Sequence, residues 1–188
     1  MRTGLNMKAT AGFTLIELLV VIVIVAIMMG IGVPSFKYVT TSSRLSAEIN
    51  GLLGDMQLAR AEAVKEGRSV TICAASADQT ACSGVPDWSN GWIVYTDPTD
   101  VGVRDPDEPI LRTQKALHAG DTLVDASGTL SKATFNRAGL LSLAGLPADG
   151  ITLTLHDSAA NAAYTRCLWI ASQGLVTTQT PVTDAGCK

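Results

Sequence analysis

The sequence predicts an α+β chain: one long N-terminal helix, a membrane anchor in its first half and amphipathic in its second, packed on a mostly antiparallel β-sheet head. Three observations predict it. An apolar run from Phe13 to Val33 carries a single charge, Glu17. Apolar residues then recur at helical spacing as far as Glu66, and beyond Gly67 the chain breaks into short β-branched or aromatic segments. Such an order, one helix followed by consecutive strands, lets the helix bury its stripe against a sheet face. The 188 residues hold 14 Lys plus Arg against 17 Asp plus Glu, a net charge of −3, which argues against a strongly basic nucleic-acid binder. With 47% hydrophobic and 16% charged residues the chain is too apolar to be disordered.

At 1.5 Å per residue the run from Phe13 to Val33 reaches roughly 31 Å, the thickness of the hydrocarbon core of a bilayer. It is longer than the apolar region of a cleaved secretory signal, and the residues that close it, Met28 to Pro34, offer no A-x-A-like cleavage site. A retained single span at 13–33 is therefore expected. Arg2 and Lys8 precede it, which keeps the short N-terminal tail cytoplasmic and places residues 34–188 on the far side of the inner membrane. Within 35–66, Leu45, Ile49, Leu52, Leu53, Met56, Ala59 and Ala63 recur every three or four residues. Arg44 and Glu48 stand at i,i+4 on another face, and Gly67 suits the position just past a helix end. Gly30, Gly32 and Pro34 are weak points where a kink is expected. Strand-like segments follow at 68–74, 91–96, 110–117, 122–125, 132–136, 151–156 and 164–171, forming a β-rich region over 68–188.

The string Gly12-Phe13-Thr14-Leu15-Ile16-Glu17, opening an unbroken apolar helix, resembles the class III signal of type IV pilins and type II secretion pseudopilins. The resemblance implies a leader of residues 1–12, removed by prepilin peptidase between Gly12 and Phe13, and methylation of the new amine on Phe13. Met7 offers a second start beside Met1. Glu17, a carboxylate inside an apolar span, calls for a functional reading on its own. The resemblance supplies its partner, the terminal amine of a neighbouring subunit, and so makes Glu17 the assembly residue. In the head, Trp88-Ser89-Asn90-Gly91-Trp92-Ile93-Val94-Tyr95-Thr96-Asp97, Phe135-Asn136-Arg137-Ala138-Gly139 and Ile170-Ala171-Ser172-Gln173-Gly174 resemble segments of the GspH/FimT family of minor pilins and minor pseudopilins. A pilin-like fold is the implied architecture. The implied partners are other minor and major pilins or pseudopilins. Trp88 and Trp92 are expected in the core beside a tight turn.

Cys73, Cys82, Cys167 and Cys187 make an even set in a domain facing an oxidising compartment, which favours disulfides. Of three connectivities, neighbour pairing, Cys73 with Cys82 and Cys167 with Cys187, is preferred. Zinc is disfavoured, because there is no C-x-x-C and no His at ligand spacing. Asp97, Asp100, Asp105, Asp107 and Glu108 crowd one Pro-rich segment, which reads as a solvated hairpin loop and lacks the order of an EF-hand. His118 and His156 are isolated, and no G-x-S-x-G, H-E-x-x-H or P-loop occurs, so neither an enzyme nor a cofactor is expected.

Three functions follow from the resemblance: a minor pilin in the tip or priming complex of a type IV pilus, a minor pseudopilin of a type II secretion system, and a DNA-binding minor pilin in natural transformation. The last depends on a C-terminal G-R-x-R segment in some relatives. Here Gly174 is followed by Leu175-Val176-Thr177-Thr178, and after Arg137 only Arg166 and Lys188 are basic, so DNA binding is disfavoured.

Overall fold

A computed structural model describes residues 12–99, 102–125, 127–142, 150–180 and 187, with the side chain of Pro34 outside that set. The leader residues 1–11 and Asp100 therefore lie outside the described residues. The chain divides into two compact units, Met1–Thr40 and Thr41–Lys188.

In the first unit the secondary structure is the opening of helix α1 (Leu15–Glu66). Its helical conformation runs unbroken through Gly30, Gly32 and Pro34, the weak points of the sequence. Every described side chain from Phe13 to Val33 is exposed, and α1 is the one described helix apolar enough to cross a membrane, with a mean hydropathy of 2.9 in its most apolar stretch.

Among the described residues the second unit combines the rest of α1 with nine strands: β1 (Val70–Ala74), β2 (Trp92–Thr96), β3 (Ile110–Gln114), β4 (Thr122–Asp125), β5 (Lys132–Phe135), β6 (Leu141–Ser142), β7 (Ile151–His156), β8 (Arg166–Ile170) and β9 (Val176–Gln179). They form two antiparallel sheets, ordered β3-β2-β1-β5-β6 and β4-β7-β8-β9, where the sequence suggested a single sheet. The sequence carries no signal for the short β6 or for β9 after Gly174. Two residues give no period for β6, and the Thr-Thr-Gln of β9 has no apolar alternation to betray it.

One core joins the helix to both sheets. Leu45, Ile49, Leu52, Met56, Ala59 and Ala63, spaced four and three apart, meet Val70, Ile72, Trp92, Val94 and Phe135 of the first sheet and Leu123, Leu153, Leu155, Leu168 and Ile170 of the second. Alternation puts these residues on one face of each strand. The outer face of the first sheet is covered too: Cys73, Ala75, Ile93 and Tyr95 form a smaller cluster with Cys82, so β1 and β2 are buried throughout.

Candidate functional site

At the start of α1, Thr14 is the N-cap. Its Oγ1 accepts a hydrogen bond from the Glu17 backbone N–H at 3.3 Å, and its carbonyl accepts from Leu18 N at 3.2 Å. Thr14-Leu15-Ile16-Glu17 thus has the Thr-x-x-Glu spacing of a capping box, and Glu17 places an acid in the first turn, where the helix dipole favours it. No described residue forms an ion pair with the Glu17 carboxylate, and Phe13, Leu15 and Ile16 around it are exposed. The arrangement offers a carboxylate, fixed on a rigid helix and without a counter-charge among the described residues of its own chain. Gly12, the last residue of the expected leader, has open space around its Cα.

In the head, the Trp-x-x-Gly-Trp turn is built from the core outward. Trp88 and Trp92 are fully buried; Trp88 Nε1 donates to the Leu130 carbonyl at 2.7 Å and Trp92 Nε1 to Asp55 Oδ2 at 2.8 Å. Asp55, a buried acid on α1, also meets Arg112 of β3 at 3.3 Å. Helix, β2 and β3 are therefore tied by one carboxylate. Gly91, at φ +88°, makes the turn possible, since a Cβ there would run into the carbonyl oxygen of Gln114. Gly174, at φ +79°, closes the β8–β9 turn, where Ala171 N donates to the Leu175 carbonyl at 2.8 Å.

Cys73 is joined to Cys82, and Cys167 to Cys187, with Cα atoms 5.6 Å apart in both bridges. The first bridge ties β1 to the segment before the tryptophan turn; the second anchors residue 187 to β8. No described cysteine is free, and no described group of His, Cys, Asp or Glu could hold a metal ion.

The acidic segment after β2 differs from the solvated loop expected. Asp97 is fully buried and Glu108 nearly so. Asp97 Oδ2 accepts from Thr71 Oγ1 at 2.9 Å and from Gly102 N at 2.7 Å, while Glu108 Oε2 accepts from Asp105 N at 2.9 Å. These carboxylates brace the loop across the outer face of the first sheet, and composition cannot separate bracing acids from solvated ones. Burial, with the nearby Asp97 charge, pushes the Tyr95 phenol up.

Arg44 and Glu48 do not pair along the helix. Arg44 Nη2 reaches Asp121 at 2.9 Å instead, and Glu48 Oε1 accepts from His118 N at 3.4 Å, so both side chains clip α1 to the 117–121 turn. Burial, aided by the Asp121 charge, raises the Glu48 carboxyl above the usual range; burial likewise raises Asp121, against the opposing pull of Arg44. His156 Nδ1 lies 3.0 Å from Thr165 Oγ1. None of these groups converges on a catalytic constellation.

An anchor-like helix with an N-capped acid in its first turn, leading into a helix-on-sheet head, defines a pilin-fold protein. Residues 48–174 match the family described as Type II transport protein GspH, and residues 7–33 match the prokaryotic N-terminal methylation motif. The chain belongs to the GspH family. It is similar to "Type II secretion system protein H" of Pseudomonas aeruginosa, with 42% identity over 62 residues, 33% of this chain and 36% of that protein. The match thus spans about a third of the curated relative. Among solved structures, the fold is similar to type IV minor pilin FimU of Pseudomonas aeruginosa (TM-score 0.52, 20% identity, 82% of this chain and 98% of that one). It is also similar to the minor pseudopilin EpsH from the type 2 secretion system of Vibrio cholerae (TM-score 0.50, 12% identity, 73% and 98%).

Proposed function

We propose that the chain is a minor pilin, a structural subunit and not an enzyme, that joins a type IV pilus in its tip or priming complex. Prepilin peptidase removes residues 1–12, and Phe13 becomes the methylated N-terminus. Residues 13–33 cross the inner membrane; residues 34–188, with helix 35–66 and the β-rich region 68–188, form the periplasmic head. Glu17 pairs with the terminal amine of a neighbouring subunit as the chain leaves the membrane for the filament. The observation that carries this reading is the Glu17 carboxylate, fixed in the first turn of an exposed apolar helix without a partner among the described residues of its own chain. Opposite charges attract strongly in a low-dielectric setting, which makes such a carboxylate a receptor for an external cation.

Two measurements test the proposal. Mass spectrometry of the membrane-isolated protein should find N-methylated Phe13 as the first residue; a terminus at Met1 or after Val33 would overturn the processing step. Glu17→Val should leave insertion intact and sharply reduce incorporation into filaments, because insertion is easier without the charge while the pairing is lost. Unchanged incorporation would refute the role of Glu17.

The second reading, a type II secretion minor pseudopilin, is favoured by the 42% identity to a type II secretion system protein H over the matched stretch. Neighbouring genes and co-isolated subunits separate the two: minor pilins indicate a pilus, secretion components a pseudopilus. DNA binding remains disfavoured, since Leu175, Val176, Thr177 and Thr178 carry no cation, and Arg60 of α1, which reaches that turn, donates to the Gly174 carbonyl at 3.3 Å.

A further inference from the structure

We propose that a cleft between α1 and the β8–β9 edge is a docking socket for a carboxylate side chain of an adjoining pilin subunit, with Arg166 as its receptor; this rests on the reading of the chain as a filament subunit. The cleft, of about 240 Å³, is lined by Ser46, Ile49, Asn50, Arg166, Thr178 and Gln179, together with Thr180. Helical spacing creates one wall: Ser42, Ser46 and Asn50 stand four residues apart and line one face of α1 beside the core stripe. Strand β9, the last strand of its sheet, supplies the other.

Among the described residues no carboxylate pairs with Arg166. Its Nε donates to Ser46 Oγ at 3.1 Å, its Nη2 to Ser42 Oγ at 2.7 Å, and its Nη1 to the carbonyls of Thr165 at 2.8 Å and Ala163 at 3.4 Å. All four acceptors are neutral. Of the five guanidinium N–H groups, one on Nη2 is left over. Arg44, Lys65, Arg68 and Arg112 each meet a carboxylate at 2.9–3.3 Å, whereas Arg166, like Arg104 on the carbonyls of Thr80, Pro106 and Glu108, is held by neutral acceptors. A part-buried guanidinium fixed by hydroxyls and carbonyls keeps its orientation and its full charge. At the rim, Asn50 and Thr178 are exposed, and their side chains hydrogen-bond to no described residue.

The chemistry selects the occupant. One cation flanked by neutral donors balances one negative charge, the charge that a carboxylate carries. The single N–H left on Nη2 can donate one charge-assisted hydrogen bond to a carboxylate oxygen. A cleft of this size admits a side chain end and not an extended segment. A subunit that works in an assembly meets such side chains on its neighbours.

The test uses the full-length protein in cells that make its pilin partners, solubilised in detergent, with co-purifying pilin subunits identified and quantified. Wild type is expected to bring down a defined pilin. Arg166→Gln should weaken that association about tenfold or more, with Arg166→Lys in between, because an ammonium keeps the charge but not the planar set of contacts to Ser42, Ser46 and the two carbonyls that orient it. Thr178→Asp, on the exposed rim, keeps the arginine and its serine contacts but puts a competing carboxylate beside it. It should weaken association without lowering the melting temperature, so the idea stays testable if Arg166→Gln misfolds. Association unchanged in both variants overturns the socket while leaving the filament reading intact. Failure of wild type to bring down any pilin overturns both. If Asp184→Asn, outside the described residues, reproduces the thermal loss of Arg166→Gln, the socket is filled by this chain itself and the proposal is overturned.

Discussion

From Leu15 to Val33 every side chain of α1 is exposed, whereas from Leu45 to Ala63 the same helix buries Leu45, Ile49, Leu52, Met56, Ala59 and Ala63. The first stretch is apolar all round, which is the signature of a helix whose solvent is lipid or other helices. The second is apolar along a single stripe, which is the signature of a helix that completes its own core. One backbone conformation therefore serves two different burial strategies. The exposed half must find its partners outside the chain, and the buried half already has them.

The largest effect that would sharpen this comparison is a cavity in the buried half. Leu52→Ala should destabilise the head by about 2–5 kcal/mol, because Leu52 is fully buried at the centre of the stripe. Leu19→Ala, half-exposed in the first stretch, should leave the melting temperature of the head unchanged. Equal losses in thermal melts of the full-length protein would show that the two halves share one core, and the comparison would break.

A second effect of similar size separates head from helix through the disulfides. Removing the Cys73–Cys82 bridge by a double Ala substitution should cost roughly 3 kcal/mol on the chain-entropy view, and losing Cys167–Cys187 a little more because its loop is longer. Both losses should appear in the melting of the head and neither in membrane insertion. A loss of insertion on removing either bridge would contradict that independence.

How far the sequence reveals each half follows from where its information lies. The anchor is legible because apolar run length and an embedded acid are local properties. The helix stripe is legible because a period of three and four survives any tertiary detail. Trp88 and Trp92 are legible as core, yet the acceptors that hold their indole N–H groups, the Leu130 carbonyl and Asp55, sit 42 and 37 residues away, and no local pattern names them. The same holds for Asp97 and Glu108, which look like solvated acids until the loop folds back on Thr71 and Asp105. Arg44 and Glu48 mislead in the opposite direction: their i,i+4 spacing is real, but each side chain finds its partner in the 117–121 turn. Splitting into two sheets is equally silent in the sequence, since antiparallel strands carry no mark of which neighbour they pair with.

The smallest predicted effect lies at that clip and is read in pH. Burial, then the Asp121 charge, raises the Glu48 carboxyl in the folded head above its value of 4.5 in an unconstrained chain. Between those two values the folded state holds more protons than the unfolded one, so stability falls as pH rises through the window and is greatest below it. Glu48→Gln keeps the carbonyl that accepts the His118 N–H while removing the titration. The wild-type melting temperature should therefore drop relative to Glu48→Gln as pH climbs from below 4.5 toward neutrality. Arg44, Asp121 and His118 face the same carboxyl, and because the Asp121 charge is one of the causes that raise Glu48, the comparison reads the coupled Glu48–Asp121 pair. A wild-type curve that rises relative to the variant over this window would mean that Arg44 outweighs burial at Glu48, and that the clip is an ion pair in all but geometry.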